Sequence, residues 1–367
     1  GTGIVWGIGT RSGMKWRKEQ PREITWKMGA VPLNIDVPMS LPIRLLEICL
    51  VAHSMTSSNL IGAAIPRAED NRLLRGAGCY SDDQTRDEVA YAIMVRSDIA
   101  HALLVGLNCE AAKTSPGVLA VLTGEDWRGD GLHPMPAWGN PKDVELKNRD
   151  GTDIFYTPLW PIAFDRVRRV GEIVAVVVGE TEAKARDAAE LISLKLKNLK
   201  ASANPFSNLL DQSDDLWDEI PENLNVDDLK GDVQLTGQLF AKAAHVVKLE
   251  TINQRVTGVP MEPRAALAEY SEDNGSFLIE AGGQGVIRFQ NELSTTLGVD
   301  KSQVRVISRD VGGGYGTRNH TYPEFPLVMW AAKRVGRPVK WVCSRTEGFL
   351  SDYAGRDLKT IASIAMN

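Results

Sequence analysis

The chain is poor in the residues that most often bind metals and clusters. It has four cysteines and five histidines in 367 residues. Cys49, Cys79, Cys109 and Cys343 lie far apart and form no C-x2-C pair, so a zinc or iron–sulfur signature is excluded. His53, His101, His133, His245 and His320 show no H-x3-H spacing, and each reads as structural. No apolar run is long enough to span a bilayer: the stretch 41–52 is interrupted by Arg44 and Glu47. That stretch also lacks the cleavage pattern of a signal peptide. An excess of basic charge is missing too. The net charge of −5 argues against a nucleic-acid surface. Isolated cysteines without a secretion signal point to a reducing, cytoplasmic location.

What remains is ordinary globular material, 43% hydrophobic and 24% charged, at a length that suggests two or three domains. Residues 1–59 stand apart. Trp6, Trp16 and Trp26 sit among glycines and basic residues without periodicity, so this part is expected to be an extension, dispensable or not native, with a natural start at Met55. From 60 to 205 strands and helices alternate. Strands are expected at 91–95 and at 118–123, the latter ended by Gly124. The continuous apolar run 174–178 predicts a central strand buried on both faces. Thr181 caps a helix over 182–191, and Leu194-Lys-Leu-Lys197 alternates like an edge strand.

Residues 206–235 read as an acidic linker, solvated along most of its length, with Trp217 as an anchor. Beyond it, strands are expected at 244–250, 265–270, 276–280, 304–308, 339–343 and 361–367. Helices are expected at 286–297 and 322–335, the second closed by Gly336 and followed by Pro338. The fold class is α+β.

The most informative motif is Val311-Gly-Gly-Gly-Tyr-Gly316, at the end of a β-branched strand. Glycine serves where the backbone takes positive φ or approaches a ligand closely, and bare backbone amides suit anionic oxygens. The G-x-G-x-x-G dinucleotide fingerprint fails, because Thr317 occupies its third glycine. Gly316-Thr-Arg318 likewise lacks the lysine of a P-loop. Gln284, flanked by glycines in Ala281-Gly-Gly-Gln-Gly285, is either a turn glutamine or an amide brought close to a ligand.

Several motifs occur in one order: Arg72-Leu-Leu-Arg-Gly-Ala-Gly78, Pro116-Gly-Val-Leu-Ala-Val-Leu-Thr-Gly124, Val170-Gly-Glu-Ile-Val-Ala-Val-Val-Val178 and Ala185-Arg-Asp-Ala-Ala-Glu-Leu191, then Met261-Glu-Pro-Arg264, Gln284, the glycine loop, Tyr322-Pro-Glu324, Trp330-Ala-Ala332, Gly336-Arg-Pro-Val-Lys-Trp341, Ser344-Arg-Thr-Glu347 and Gly355-Arg-Asp357. Together they resemble the molybdopterin-binding large subunit of the xanthine dehydrogenase and aerobic carbon monoxide dehydrogenase family, in its amino-terminal portion. The resemblance implies an α/β hammerhead domain at 60–205 and an incomplete first molybdopterin-binding domain at 236–367. It also implies a molybdenum–molybdopterin cofactor, with its cytosine dinucleotide form left open. The activity implied is oxidation of a small substrate at a Mo–oxo/hydroxo centre. Electrons would pass to partner subunits, a small one carrying 2Fe-2S clusters and a medium one carrying FAD.

By the same resemblance Gln284, Gly313, Gly314, Tyr315 and Gly316 line the cofactor. Gln284 and Tyr315 are neighbours of the metal and not its ligands. Asn319 falls where purine-hydroxylating members tend to carry a substrate-binding glutamate, which counts against a purine substrate. The catalytic glutamate of the family is expected beyond Asn367, so the chain by itself is expected to be an inactive fragment. The alternative is a non-catalytic binding or assembly protein that keeps half of this fold. Outside the loop, Arg345 and Glu347 are expected to form an ion pair. Glu324 is expected to suit a helix start, and Pro263 with Arg264 a strand entry.

Overall fold

The computed structural model describes residues 61–136, 146–201 and 214–367. The extension at 1–59, with Met55, and the residues 206–213 of the expected linker lie outside the described residues. The chain divides into two compact units, one of residues 9–78 and one built mainly of residues 79–367. In the first, the described residues hold a single-turn helix, Asp70–Leu73, and an Arg67–Asp70 ion pair at 2.7 Å.

In the larger unit the strands are, in chain order, β1 (Ala90–Arg96), β2 (Ala102–Asn108), β3 (Val118–Thr123), β4 (Arg166–Val167), β5 (Ile173–Gly179), β6 (Ser193–Asn198), β7 (His245–Asn253), β8 (Val256–Thr257), β9 (Ala265–Ser271), β10 (Ser276–Ala281), β11 (Val304–Ile307), β12 (Val339–Val342), β13 (Ala354–Gly355) and β14 (Leu358–Met366). Seven of them form one sheet in the order β11-β10-β9-β12-β1-β5-β3. The sheet therefore draws strands from both sides of residues 206–235. The join is the parallel pair β1–β12, with Ala90 opposite Val339. A smaller sheet runs β4-β2-β6, which puts Ser193–Asn198 on an edge as its alternation predicts.

β5 is buried at every position. Its Val176 and Val178 pack with Ala331 and Met329 in the main core, while Val177 packs with Ala185 and Ala188 on the other face. Ala185 and Ala188 belong to α1 (Glu182–Ala189), whose N-cap Thr181 accepts from the Lys184 amide. A second helix, α2 (Val233–Lys242), starts inside the expected linker, capped by Asp232. Other linker acids are used as well: Asp227 pairs with Arg149 at 2.8 Å and Asp218 with Arg166 at 3.0 Å. Trp217 lies under the Arg168 guanidinium, 5.3 Å from it.

The helix after β10, α3 (Val286–Leu297), has the expected bounds and closes on Gly298 in the left-handed region. The next, α4, runs Glu324–Val335 and not from Tyr322. Pro323 disfavours helical backbone at the residue before it, so the helix starts after the proline. Its residues from Glu324 to Ala332 are all buried. A short helix, α5 (Arg345–Ser351), follows β12. β7 and β14 pair alone as a two-stranded ribbon, and every residue of β7 is exposed.

Candidate cofactor site

Two loops meet at the carboxyl ends of the parallel pair β10–β11. The first is Gly282–Gly285, between β10 and α3. The second follows β11 and carries the glycine run. They are tied at three levels. The Gly283 amide donates to Ser308 Oγ at 3.1 Å, and the Ser308 hydroxyl donates to the Gly283 carbonyl at 3.0 Å. The Gln284 amide donates to the Arg318 carbonyl at 3.0 Å. The Gln284 carboxamide lies against Gly314, where a Cβ would sit 2.8 Å from its Oε1. The structure thus brings Gln284 and the glycine loop together.

Each glycine in the run has its own reason. Gly313 and Gly316 take φ of 109° and 93°, which other residues adopt only under strain. Gly312 and Gly314 are needed for close approach. A Cβ on Gly312 would meet Glu262 Cβ at 2.5 Å, and one on Gly314 would meet the Gln284 amide. Gly314 is thus fixed by contact with Gln284 and not, as a glycine loop suggests, by positive φ. Tyr315 does take positive φ, 49°, and its ring is 76% exposed. The amides of Gly313, Gly314 and Tyr315 find no hydrogen-bond partner among the described residues. Asn319 ends the short 3-10 turn after the run; it is exposed, and its carbonyl accepts from Arg288 at 3.4 Å.

Beneath the loop lies a buried charged cluster. The Tyr322 hydroxyl reaches the Thr317 carbonyl at 2.9 Å and Asp352 at 2.6 Å. Arg264 holds Glu324 at 3.0 Å, and Arg96 of β1 holds the same carboxylate at 2.6 Å. Burial alone would push the Glu324 carboxyl up, but Arg264 and Arg96 outweigh it and hold it below the ordinary range. Glu324 therefore does more than suit a helix start. Arg345 and Glu347 do not pair with each other. Arg345 donates to the carbonyls of Pro260 and Met261, and Glu347 pairs with Arg96 at 2.6 Å. Residues two apart on a helix point to different sides, which is why that expectation fails. Arg264 does stand at a strand entry, its carbonyl accepting from the Cys343 amide at 2.8 Å.

Arg318, Ser308 and Arg96 escaped the sequence reading. Arg318 is 1% exposed, and it donates to the Glu262 carbonyl at 2.7 Å. An arginine two residues after the glycine run, in Gly316-Thr-Arg318, was the available signal. Arg96 has no local signal, because its partners lie 228 and 251 residues away. Among the described residues no group of three or more His, Cys, Asp or Glu side chains could hold a metal ion. No helix among them is long and apolar enough to cross a membrane.

The chain has counterparts among known proteins. Residues 216–367 match the family described as "Molybdopterin cofactor-binding domain", and residues 75–200 match "Aldehyde oxidase and xanthine dehydrogenase, a/b hammerhead domain". The two matches define a molybdopterin-binding protein of mixed α and β structure. The chain belongs to the xanthine dehydrogenase and aerobic carbon monoxide dehydrogenase family of molybdenum-binding large subunits. It is 36% identical to the nicotine 6-hydroxylase large subunit of Paenarthrobacter nicotinovorans, over 80% of this chain and 34% of that one. Its structure is similar to quinoline 2-oxidoreductase from Pseudomonas putida 86, with a TM-score of 0.70 and 28% identity over 83% of this chain and 37% of that one. It is also similar to reconstituted carbon monoxide dehydrogenase from Oligotropha carboxidovorans, with a TM-score of 0.73 and 26% identity over 83% and 38%. The chain spans about a third of the length of the curated relatives it matches.

The residues present fit the cofactor that the family implies. Three backbone amides of the loop have no hydrogen-bond partner among the described residues, and the Gln284 carboxamide rests on a glycine where a Cβ would clash with it. Such a set of donors suits a ligand rich in acceptor oxygens.

Proposed function

We propose that the full-length protein is a molybdenum hydroxylase large subunit and that this chain supplies one wall of its cofactor site. The observation that carries this is the Gln284 carboxamide seated on Gly314, beside amides that find no partner among the described residues. Gln284 and the backbone of Gly313, Gly314, Tyr315 and Gly316 would hold the molybdopterin centre. When bound, that cofactor supplies two-electron oxidation of a substrate carbon. The chain's own contribution is to bind and orient. Gln284 offers both a donor and an acceptor, so it can serve either protonation state of an oxygen placed beside it. The glycine amides donate without moving, because Glu262, Ser308 and Arg318 already hold the loop.

The substrate proposed is a nitrogen heteroaromatic ring. Support comes from the relatives named for nicotine and quinoline. The exposed Tyr315 side chain, which follows Gly314 in the same loop, adds an aromatic surface on which such a ring could stack. Asn319 stands at the far end of the same loop as a neutral substrate contact. Electron exit through iron–sulfur and FAD subunits is part of the proposal, supported by relatives whose names call them large subunits, large chains or members of a complex.

The test is to purify the full-length gene product with its neighbouring subunits. Metal analysis should find molybdenum, and dye-linked oxidation should proceed with a pyridine or quinoline substrate. Protein without molybdenum would overturn the reading, and molybdenum with carbon monoxide oxidation alone would overturn the substrate.

A further inference from the structure

We infer that Glu262 is the positioning residue of the glycine loop, a carboxylate strut that fixes the loop amides toward the cofactor. The inference deepens the functional reading above and rests on it only for what the amides face. The Glu262 carboxylate accepts from two backbone amides that come from distant parts of the chain. Oε1 receives the Ser81 amide at 3.2 Å, and Oε2 receives the Gly312 amide at 2.7 Å. Its main chain is engaged as well. The Glu262 amide donates to the Gly312 carbonyl at 3.4 Å, and its carbonyl accepts from Arg318 at 2.7 Å. One residue therefore touches the loop at its start and at its end.

The strut needs a fixed footing, and the segment from Cys79 to Arg86 provides it. The Cys79 amide donates to Asp310 at 2.8 Å, and the Asp310 amide donates to the Cys79 carbonyl at 3.1 Å. Arg86 and Arg309 grip the two oxygens of Glu280, at 2.5 Å and 3.0 Å. Glu280 is 3% exposed and sits at the end of β10, so the footing is tied to the strands that launch both loops. Ser81 also faces Gly282, where a Cβ would lie 2.8 Å from its hydroxyl. Four glycines in five positions would otherwise leave the loop free to sample many conformations. Gly312 is glycine for the same reason, since a Cβ there would collide with Glu262.

The chemistry calls for a carboxylate in particular. It offers acceptors in two directions, whereas a glutamine of the same shape offers one acceptor and one donor. In Glu262→Gln one of the two amides would meet an N–H. In Glu262→Ala both amides would lose their partner.

Amide hydrogen exchange, read by mass spectrometry on the full-length protein with its partner subunits, tests this. Exchange in 312–317 should rise about tenfold in Glu262→Gln, as expected for losing one charge-assisted bond. It should rise further in Glu262→Ala. The strand Ile173–Gly179 should keep its wild-type protection, the melting temperature should stay within a few degrees, and molybdenum and pterin per protein should fall with loop protection. Unchanged exchange in 312–317 overturns the inference whatever the metal content. Loosening of Ile173–Gly179 in step with the loop also overturns it, for Glu262 would then be a general structural residue. If the alanine variant yields no soluble protein, the glutamine variant decides. A wild-type protein without molybdenum whose loop is still loosened by Glu262→Gln leaves the strut standing and removes the functional reading.

Discussion

β5 and β7 are both rich in β-branched and apolar residues, Ile173-Val-Ala-Val-Val-Val178 in one and His245-Val-Val-Lys-Leu-Glu-Thr-Ile-Asn253 in the other. Every residue of β5 is buried, and every residue of β7 is exposed. β5 is hydrogen-bonded on both edges, to β1 and to β3, whereas β7 is bonded on one edge only, to β14. The third dimension separates them further. β5 lies inside a seven-stranded sheet with helices on both faces, whereas β7 pairs with β14 in a ribbon that leaves Val247, Leu249 and Ile252 more than half exposed. Strand formation follows from side chains that suit a pleated backbone. Burial follows from what is stacked on the strand, and nothing local to β7 specifies that.

The comparison can be broken most directly by placing one charge in each region. Val176→Asp puts a carboxylate where the wild-type residue is 0% exposed, inside the apolar core. Burying an unpaired charge costs about 4 kcal/mol or more, a large part of a domain's whole stability. The expected outcome is loss of the folded protein, seen as absence of a cooperative melt. A normal melt would show that β5 is not the closed strand described.

The next effect concerns charge that is already buried. Glu324→Ala leaves Arg96 and Arg264 without their shared partner and should cost about 3–5 kcal/mol in urea unfolding. The wild-type protein should show the same dependence through pH. The Glu324 carboxyl is held below its ordinary range in the folded state. Its contribution is therefore full above the unfolded value, about 4.3 for a glutamate, and drains away as pH falls through the lower folded value. Urea midpoints measured from pH 7 down to pH 3 should fall more steeply in wild type than in Glu324→Gln.

A smaller effect sharpens the account of the glycine run. Gly314→Ala introduces a Cβ 2.8 Å from Gln284 Oε1, and the amide is the far end of an exposed side chain that can swing aside. Stability should drop by about 1 kcal/mol. Gln284 should be displaced in a crystal structure, and molybdenum content of the full-length protein should fall out of proportion. An undisturbed Gln284 would refute the contact argument.

The smallest effect closes the pair. Val247→Asp places the same carboxylate as the first variant on the ribbon, where Val247 is 55% exposed. The change should stay within about 0.5 kcal/mol of wild type in the same melt. A large loss there would mean that the ribbon face is covered.

Much of the fold was legible because its signals are local. The helix Val286–Leu297 is bounded correctly by apolar spacing, and Val118–Thr123 by an apolar run ending at Gly124. The start of α4 was missed by two residues because a proline overrides the helical pattern. The helix Val233–Lys242 straddles the expected end of the acidic linker at residue 235 and is not foreseen, although Asp232 is an ordinary N-cap. At the site, the glycine run and Gln284 stood out by composition. Their partners Glu262, Ser308 and Arg318 did not, since a residue that braces a loop need carry no pattern of its own.

The sequence by itself determined where most of the strands and helices lie, that a glycine-rich loop ends a strand, and which family the motif order belongs to. These are properties of short windows, governed by side-chain shape, capping and backbone freedom. Only the tertiary structure decided that Gln284 rests on Gly314, that Ser81 and Gly312 share one carboxylate, and that Arg96 and Arg264 share Glu324. Those are pairings across tens to hundreds of residues. Their physical cause is that a buried polar group must find a partner wherever the packed sheet happens to bring one.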